Sequence, residues 1–517
     1  MPVYKVNVKW GKEKFSEIEC NTDEAPLIFK SALYSLTGVV PERMKVMVKG
    51  KAIGDDTWTG IKNLKNNITM MMMGSASELP PEPAEKTQFI EDMSESQVNQ
   101  ASDYPPGLHN LGNTCYMAAT LQCLKTVPEL TEKLKQSSGQ FTRQSMVGSE
   151  GICAAMKQLY TEMDKTSESV TPLVMLKVLH MTFPRFAERG EGGVFQQQDA
   201  NECWTEIMRM MSEYLPGEGS TNTETVRKSY IEQYFGGENV TTMKCSETEA
   251  EPETKSIEKW TQLRCHINTD VRYMQVGLTM GLKENIEKTS ATLERNAVYV
   301  KTSNVNRLPS YLTINFIRFF YKEKENINAK VLKDIKFPME YDAFELCTPE
   351  LQTKITPARD RFEALRMKKI EIELSGDVKN KKNEKKKEEK EVNYEPCSFS
   401  DDLGSSNSGY YELQAVLTHQ GRSSSSGHYV AWVKHTEDNW IKCDDEKLSI
   451  VKEEDILKLS GGGDWHVAYT LLYGPKRLEI WEDEKKEEDK KEEDKKEEDK
   501  KEEDKKEEAV PEMEKME

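Results

Sequence analysis

The chain has no Cys-x-x-Cys pair and only ten cysteines in 517 residues. Tetrahedral zinc needs four ligands. Cys245 and Cys265 stand alone, and His266 adds one donor adjacent in sequence, so no structural zinc is expected. The same sparsity excludes a disulfide framework and fits a reducing compartment. No stretch approaches the roughly 20 apolar residues a membrane helix needs. Met1-Pro2-Val3-Tyr4-Lys5 carries no apolar leader core. Positive charge is also short: the formal net charge is −18. Residues Trp481 to Glu517 hold 11 lysines against 20 acids, a balance of −9, and the remaining residues carry the other −9. That balance argues against a nucleic-acid partner. The expectation is a cytoplasmic protein, with the nucleus as a second location, needing no cofactor, nucleic acid or membrane.

What is present is concentrated in a few motifs. Gly107-Leu108-His109-Asn110-Leu111-Gly112-Asn113-Thr114-Cys115-Tyr116-Met117 places a cysteine where a Gly/Asn-rich turn becomes a helix. Asn113 and Thr114 are N-cap residue types, and the run through Leu121 and Leu124 reads as helix. A helix N-terminus carries partial positive charge and unpaired N–H groups, which favour a thiolate, the nucleophilic form of sulfur. By itself the stretch fits equally a buried cysteine opening an ordinary helix.

Far along the chain lie two partners. Tyr411 to Leu417 and Tyr429 to Lys434 read as strands around a Ser/Gly-rich flexible loop, Gln420 to Gly427. His428 then stands at a strand start, where a neutral imidazole can take a thiol proton. Trp440 to Cys443 reads as a third antiparallel strand that sets Asp444 beside the start of the His428 strand. A carboxylate there can accept the imidazole N–H. Asp445 and Glu446 read as an acidic turn. Asn110, five positions before Cys115, could join the Cys115 backbone N–H in an oxyanion hole, or simply serve its own turn.

These residues resemble the cysteine and histidine boxes of the ubiquitin-specific proteases. Gln197-Gln198-Asp199-Ala200-Asn201-Glu202 resembles the family's glutamine–aspartate box, Leu308-Pro309 through Arg318-Phe319 its leucine–arginine–phenylalanine box, and Ala468-Tyr469 to Tyr473 its closing strand. The likeness is nearest to the proteasome-associated members that carry an N-terminal ubiquitin-like domain. It implies an α+β chain: a β-grasp domain, then a papain-like catalytic domain with thumb, palm and fingers. It implies Cys115 as nucleophile, His428 as base and then acid, Asp444 as the orienting carboxylate and Asn110 as oxyanion donor; Asp445 also lies in the family's acidic pair, which leaves Asp444 and Asp445 as alternatives for the third residue. The implied reaction is hydrolysis of the isopeptide bond after the C-terminal glycine of ubiquitin. The implied partners are ubiquitin, ubiquitinated proteins and the 26S proteasome regulatory particle. Without zinc, the fingers would rest on packing of segments such as Ile231 to Thr242 and Leu263 to Met280. The Gln420 to Gly427 loop would regulate access to the site.

Residues 1–74 read as one small domain. Val3 to Trp10 alternate, Phe15 to Cys20 follow as a second strand, and Thr22 and Asp23 open a helix with Phe29, Ala32, Leu33 and Leu36 on one face, ended by Gly38. Lys45 to Val48 and Ile68 to Met72 add strands. This module has 11 basic and 8 acidic residues, which suggests a docking surface on which Met47 and Met71 are either outward contacts or core. Residues 75–103 read as a flexible linker, 104–478 as the catalytic domain with a disordered lysine-rich insertion at about 379–392, and 479–517 as a charged low-complexity tail.

Overall fold

The computed structural model describes residues 3–74, except 56 and 59–63, and residues 104–479, except 139–145, 191, 220–228, 323–326, 375–393, 424–425, 437 and 464. The expected linker, insertion and nearly all of the tail lie outside the described residues. Chain contacts divide the protein into two units, Met1–Met93 and Ser94–Glu517.

In the first unit, β1 (Val3–Trp10), β2 (Glu13–Asn21), β3 (Lys45–Val48), β4 (Lys51–Ala52) and β5 (Thr69–Met73) form one sheet in the order β2-β1-β5-β3-β4. β1 and β5 run parallel and the other pairs antiparallel, a β-grasp. Alternation puts Val6, Val8, Val46, Val48, Met70 and Met72 inside. Helix α1 (Pro26–Thr37) starts later than the sequence suggests, because Pro26 fits the first helical position, where its missing N–H costs nothing. Its buried face is Pro26, Phe29, Lys30, Leu33 and Thr37, so Ala32 and Leu36 point outward. Gly38 ends it at φ 68°, a left-handed cap.

The second unit has a helical thumb: α2 (Cys115–Lys125), α3 (Pro128–Gln136), α4 (Gly148–Met163), α5 (Leu173–Thr182) and α6 (Ala200–Tyr214). Helix α2 is buried at every position from Cys115 to Leu124, as expected for a helix apolar on all sides. It packs between α6 and the palm strand that begins with the histidine box.

The remaining strands are β6 (Gly237–Cys245), β7 (Thr254–Trp260), β8 (Leu263–Cys265), β9 (Lys283–Thr289), β10 (Asn296–Arg307), β11 (Leu312–Phe316), β12 (Phe319–Lys322), β13 (Ile327–Lys330), β14 (Glu340–Asp342), β15 (Tyr410–Ser423), β16 (Ser426–Lys434), β17 (Asn439–Asp444), β18 (Lys447–Lys452) and β19 (Val467–Pro475). The palm sheet runs β18-β17-β16-β15-β19-β11-β8, with β14 added on β15. β11 is buried at all its positions, so both faces of the sheet centre are covered.

The fingers are the sheet β7-β6-β10-β9, and this corrects the expected supports. Ile231 belongs to the thumb core. Leu263 to Met280 is a palm-edge strand followed by a helix packed on it. Only the Gly237-to-Thr242 part of those segments lies in the finger sheet. Cys245 sits in a small core with Ala297 and Tyr299, whereas Cys265 sits in the palm core. At the fingertip Glu251 accepts hydrogen bonds from Ser290 Oγ, Tyr299 Oη and Thr292 N.

The histidine-box loop also differs from expectation. β15 and β16 continue as a hairpin out to the pair Ser423 and Ser426, with an irregularity after Gln420. Gly421 and Gly427, at φ 119° and 128°, let the two chains pass closely there. Ser424 and Ser425 lie outside the described residues.

Candidate active site

Three separate pieces of chain converge at the start of α2. The turn before it is tied down by Leu108 N donating to Asp445 O at 3.0 Å and Val170 N donating to Gly107 O at 2.9 Å. A side chain at Gly107 would strike the Glu446 carbonyl, 2.5 Å from where its Cβ would stand. The glycine is therefore required by the approach of the Asp445 turn. Asn113 takes φ 53° and its Nδ2 donates to Phe195 O at 2.9 Å.

Thr114 occupies the N-cap position of α2, but its side chain does not cap the helix. Its hydroxyl instead accepts from Leu111 N at 2.8 Å. The sequence expectation of a Ser/Thr-type cap is thus corrected. The first-turn N–H groups of α2 are left without a side-chain partner, beside the Cys115 sulfur.

Cys115 is 2 % exposed and its thiol neighbours the His428 ring closely enough to act on it. His428 Nε2 meets Asp444 Oδ1 at 2.6 Å, so Nδ1 is the nitrogen left to exchange a proton with sulfur. The hydrogen bond to Asp444, then the neighbouring Cys115, pushes the imidazole up to about 10. The same bond from His428, with Lys442 behind it, holds the Asp444 carboxyl well below the usual carboxylate range.

Asn110 stands at the mouth of the site. Its Oδ1 accepts from Gly112 N at 2.9 Å and Thr114 N at 3.2 Å. Its Nδ2 donates to Asp445 Oδ2 at 2.9 Å. An amide nitrogen has two N–H groups, and the bond to Asp445 uses one of them. Asp445 is therefore no solvated turn residue. It takes φ 54°, lies 4.0 Å from His428 Nε2, and burial raises its carboxyl. Sequence reasoning left it open between an acidic turn and a functional acid paired with Asp444. The signal available was the adjacency of two acids, which on a strand end must point in different directions.

The glutamine–aspartate box closes one wall. Asp199 caps α6 by accepting from Asn201 N and Glu202 N, and also accepts from Tyr469 Oη at 2.8 Å. It thereby links thumb to palm. Gln197 Nε2 and Tyr429 Oη are buried with no hydrogen-bond partner among the described residues. Among the described residues, the one trio of His and Asp groups close enough to share a metal ion is His428, Asp444 and Asp445. Those same groups are already engaged with one another, Cys115 and Asn110.

Residues 106–473 match the ubiquitin carboxyl-terminal hydrolase family. The chain is 41 % identical over 483 residues to ubiquitin carboxyl-terminal hydrolase 14 of Caenorhabditis elegans, covering 92 % of this chain and 93 % of that one. It is 39 % identical over 482 residues to ubiquitin carboxyl-terminal hydrolase 7 of Arabidopsis thaliana, covering 92 % and 99 %. To ubiquitin carboxyl-terminal hydrolase 6 of Schizosaccharomyces pombe it is 37 % identical over 491 residues, covering 91 % and 98 %.

Proposed function

The chain belongs to the ubiquitin carboxyl-terminal hydrolase family and is a cysteine-type deubiquitinating enzyme, and from that premise we propose that Cys115, His428, Asp444 and Asn110 hydrolyse the isopeptide bond after the C-terminal glycine of ubiquitin on proteasome-bound conjugates. The observation that supports the residue roles is the convergence of Cys115 on a His428 ring that is hydrogen-bonded to Asp444.

In the proposed reaction His428 takes the Cys115 proton and sulfur bonds to the glycine carbonyl carbon. The carbonyl oxygen becomes an oxyanion, met by the Cys115 backbone N–H and the second N–H of Asn110 Nδ2. His428 then passes its proton to the leaving lysine amine as the C–N bond breaks. Water, activated by the same imidazole, cleaves the thioester and releases ubiquitin for reuse. Asp444 holds the ring and stabilises its cationic form.

Docking to the proteasome regulatory particle would use the outer face of the β-grasp sheet. There Met71 and Met73 are 52 % and 49 % exposed. Met47 pairs with Met71, Lys45 with Met73 and Lys9 with Met71 across the sheet. Methionines flanked by lysines suit an adaptable apolar contact on an acidic partner. That partner places the enzyme in the cytoplasm and the nucleus.

A ubiquitin C-terminal reporter, assayed with and without purified proteasome, tests this. Wild type is expected to hydrolyse it and to be stimulated by proteasome; Cys115→Ala is expected to be inactive in both states. Met71→Asp should keep the unstimulated rate and lose the stimulation. Turnover by Cys115→Ala would overturn the nucleophile, and full stimulation of Met71→Asp would overturn the docking face.

A further inference from the structure

Behind the His428 ring, one face of β16 and β17 carries a row of linked groups. Lys442 and Asp444 are two apart on β17 and share that face; His428 and Trp432 are four apart on β16 and share it too. Lys442 Nζ donates to Asp444 Oδ2 at 2.7 Å, the oxygen that His428 does not use. The ammonium also lies 5.6 Å from the centre of the Trp432 ring, and Trp432 is its register partner across the two strands. Trp432 is itself fixed, since Nε1 donates to Thr418 Oγ1 at 2.9 Å. A carboxylate in front and an indole beside it thus hold the Lys442 charge in one place.

We propose that Lys442 is a positioning residue for deubiquitination: it holds Asp444 Oδ2 so that Oδ1 faces His428 Nε2, and its charge offsets one of the two neighbouring carboxylates. The inference rests on the roles given above to Cys115, His428 and Asp444. A thiolate, an imidazolium, Asp444 and Asp445 leave two negative charges in excess around one sulfur. Lys442 halves that excess. The other titratable groups facing His428 do not. The His466 ring is 6.0 Å from it, and burial, with Lys442 next, pushes His466 down to about 4. Burial, then Lys330, pushes the fully buried His419 down to about 3, and Lys330 Nζ is spent on His419 Nδ1 at 3.0 Å and on its carbonyl. Both rings are neutral at physiological pH.

The sign of the effect follows. A site without the ammonium is more negative, which stabilises the imidazolium and opposes a further anion on sulfur. Both limbs of the pH dependence of kcat/KM then move to higher pH.

The test uses the full chain and the ubiquitin C-terminal reporter over a pH series, on wild type, Lys442→Arg, Lys442→Met and Lys442→Gln. Lys442→Met and Lys442→Gln are expected to lose about tenfold or more in kcat at neutral pH, with KM little changed. Their pH limbs should rise by about half a unit or more, and Lys442→Arg should restore both. A loss of rate with unmoved limbs would mean a purely structural lysine and would overturn the proposal, as would undiminished activity. If Lys442→Met does not fold, Lys442→Gln carries the comparison. Activity retained by Cys115→Ala would instead sink the catalytic reading itself, so the two failures are distinguishable.

Discussion

Asn110 and Asp445 stand 335 positions apart and are joined by one hydrogen bond, Nδ2 to Oδ2 at 2.9 Å. The bond connects the cysteine turn to the residue after Asp444, the proposed orienting carboxylate. It leaves the Asn110 amide aimed by four hydrogen bonds, with a second Nδ2 N–H for the proposed oxyanion. Removing an oxyanion donor costs about 10²–10³ in kcat in enzymes of this chemistry. Asn110→Ala should show a loss of that order. Asp445→Ala should approach it, because the amide loses its aim. Two residues acting through one bond are not additive, so the double variant should be no worse than Asn110→Ala. Losses that multiply in the double variant would show that Asp445 acts on something other than Asn110.

The His428–Asp444 pair fixes a pH prediction. With Asp444 ionised, the imidazole is held at about 10, far above its ordinary value of about 6.5. A raised histidine value means that the pair's contribution to stability is fully present below about pH 6.5 and is lost as pH rises through about 10. Asp444→Asn removes the carboxylate that does most of this. The alkaline limb of kcat should move down towards the ordinary histidine range, with a fall of about 10²-fold or more in rate at neutral pH. An alkaline limb that stays near its wild-type position would assign the orienting role elsewhere, with Asp445 the next nearest carboxylate.

Much of this site was legible because it lies on short-range signals. The Gly/Asn turn, the start of α2 at Cys115 and the strand positions of His428 and Asp444 follow from turn chemistry and alternation. What was not legible depends on long-range contact. Thr114 looks like a cap, yet its hydroxyl serves Leu111 N instead. Asp445 looks solvated until Leu108 and Asn110 arrive from the other end of the chain. The Gln420 to Gly427 segment reads as a loop from its serines and glycines, yet most of it pairs as hairpin, because ladder bonds to a neighbouring strand override weak propensity. In α1 the helical period was right, but the start came later and the buried face lies round from the expected one, through Pro26, Phe29, Lys30, Leu33 and Thr37, which leaves Ala32 and Leu36 outward and Lys30 inward.

Arg318 gives a stability prediction. Its guanidinium is fully buried and donates to four carbonyls: Nε to Ala468 O at 2.6 Å, Nη1 to Val331 O at 3.0 Å and Lys333 O at 2.9 Å, and Nη2 to Ser460 O at 2.9 Å. Burial pushes it down to about 10, so it remains charged at neutral pH. One side chain thus closes β19 and two loops over the palm. Arg318→Met takes a donor from four carbonyls, of which Ser460 O keeps the bond from Ile335 N, and should cost about 3 kcal/mol in denaturant unfolding of the catalytic unit. Arg318→Lys should recover little of it, since an ammonium cannot span four acceptors set for a planar fork. A midpoint shift below about 1 kcal/mol for Arg318→Met would show that water satisfies those carbonyls.

The fingertip yields a prediction of a different kind, because there a carboxylate ties together the loops that a metal could have tied. Glu251 accepts from Ser290 Oγ, Thr292 N and Tyr299 Oη, and these bonds, Ser290 first, hold it down at about 2. A depressed carboxylate value means that its contribution is present above the ordinary glutamate range and is lost as pH falls towards about 2. At neutral pH the knot is intact. Glu251→Gln keeps the shape but turns one acceptor oxygen into a donor, so one hydroxyl must reverse and both lose their bond to a charged acceptor. The ends of β6 and β10 should then exchange amide hydrogen faster, while the palm strands are unchanged. If the fingers grip the body of ubiquitin, KM for the reporter should rise several-fold with kcat intact, the signature of lost uniform binding. Unaltered exchange at Tyr299 and Val300 would show that the small core of Cys245, Ala297 and Tyr299 holds the fingertip without the carboxylate.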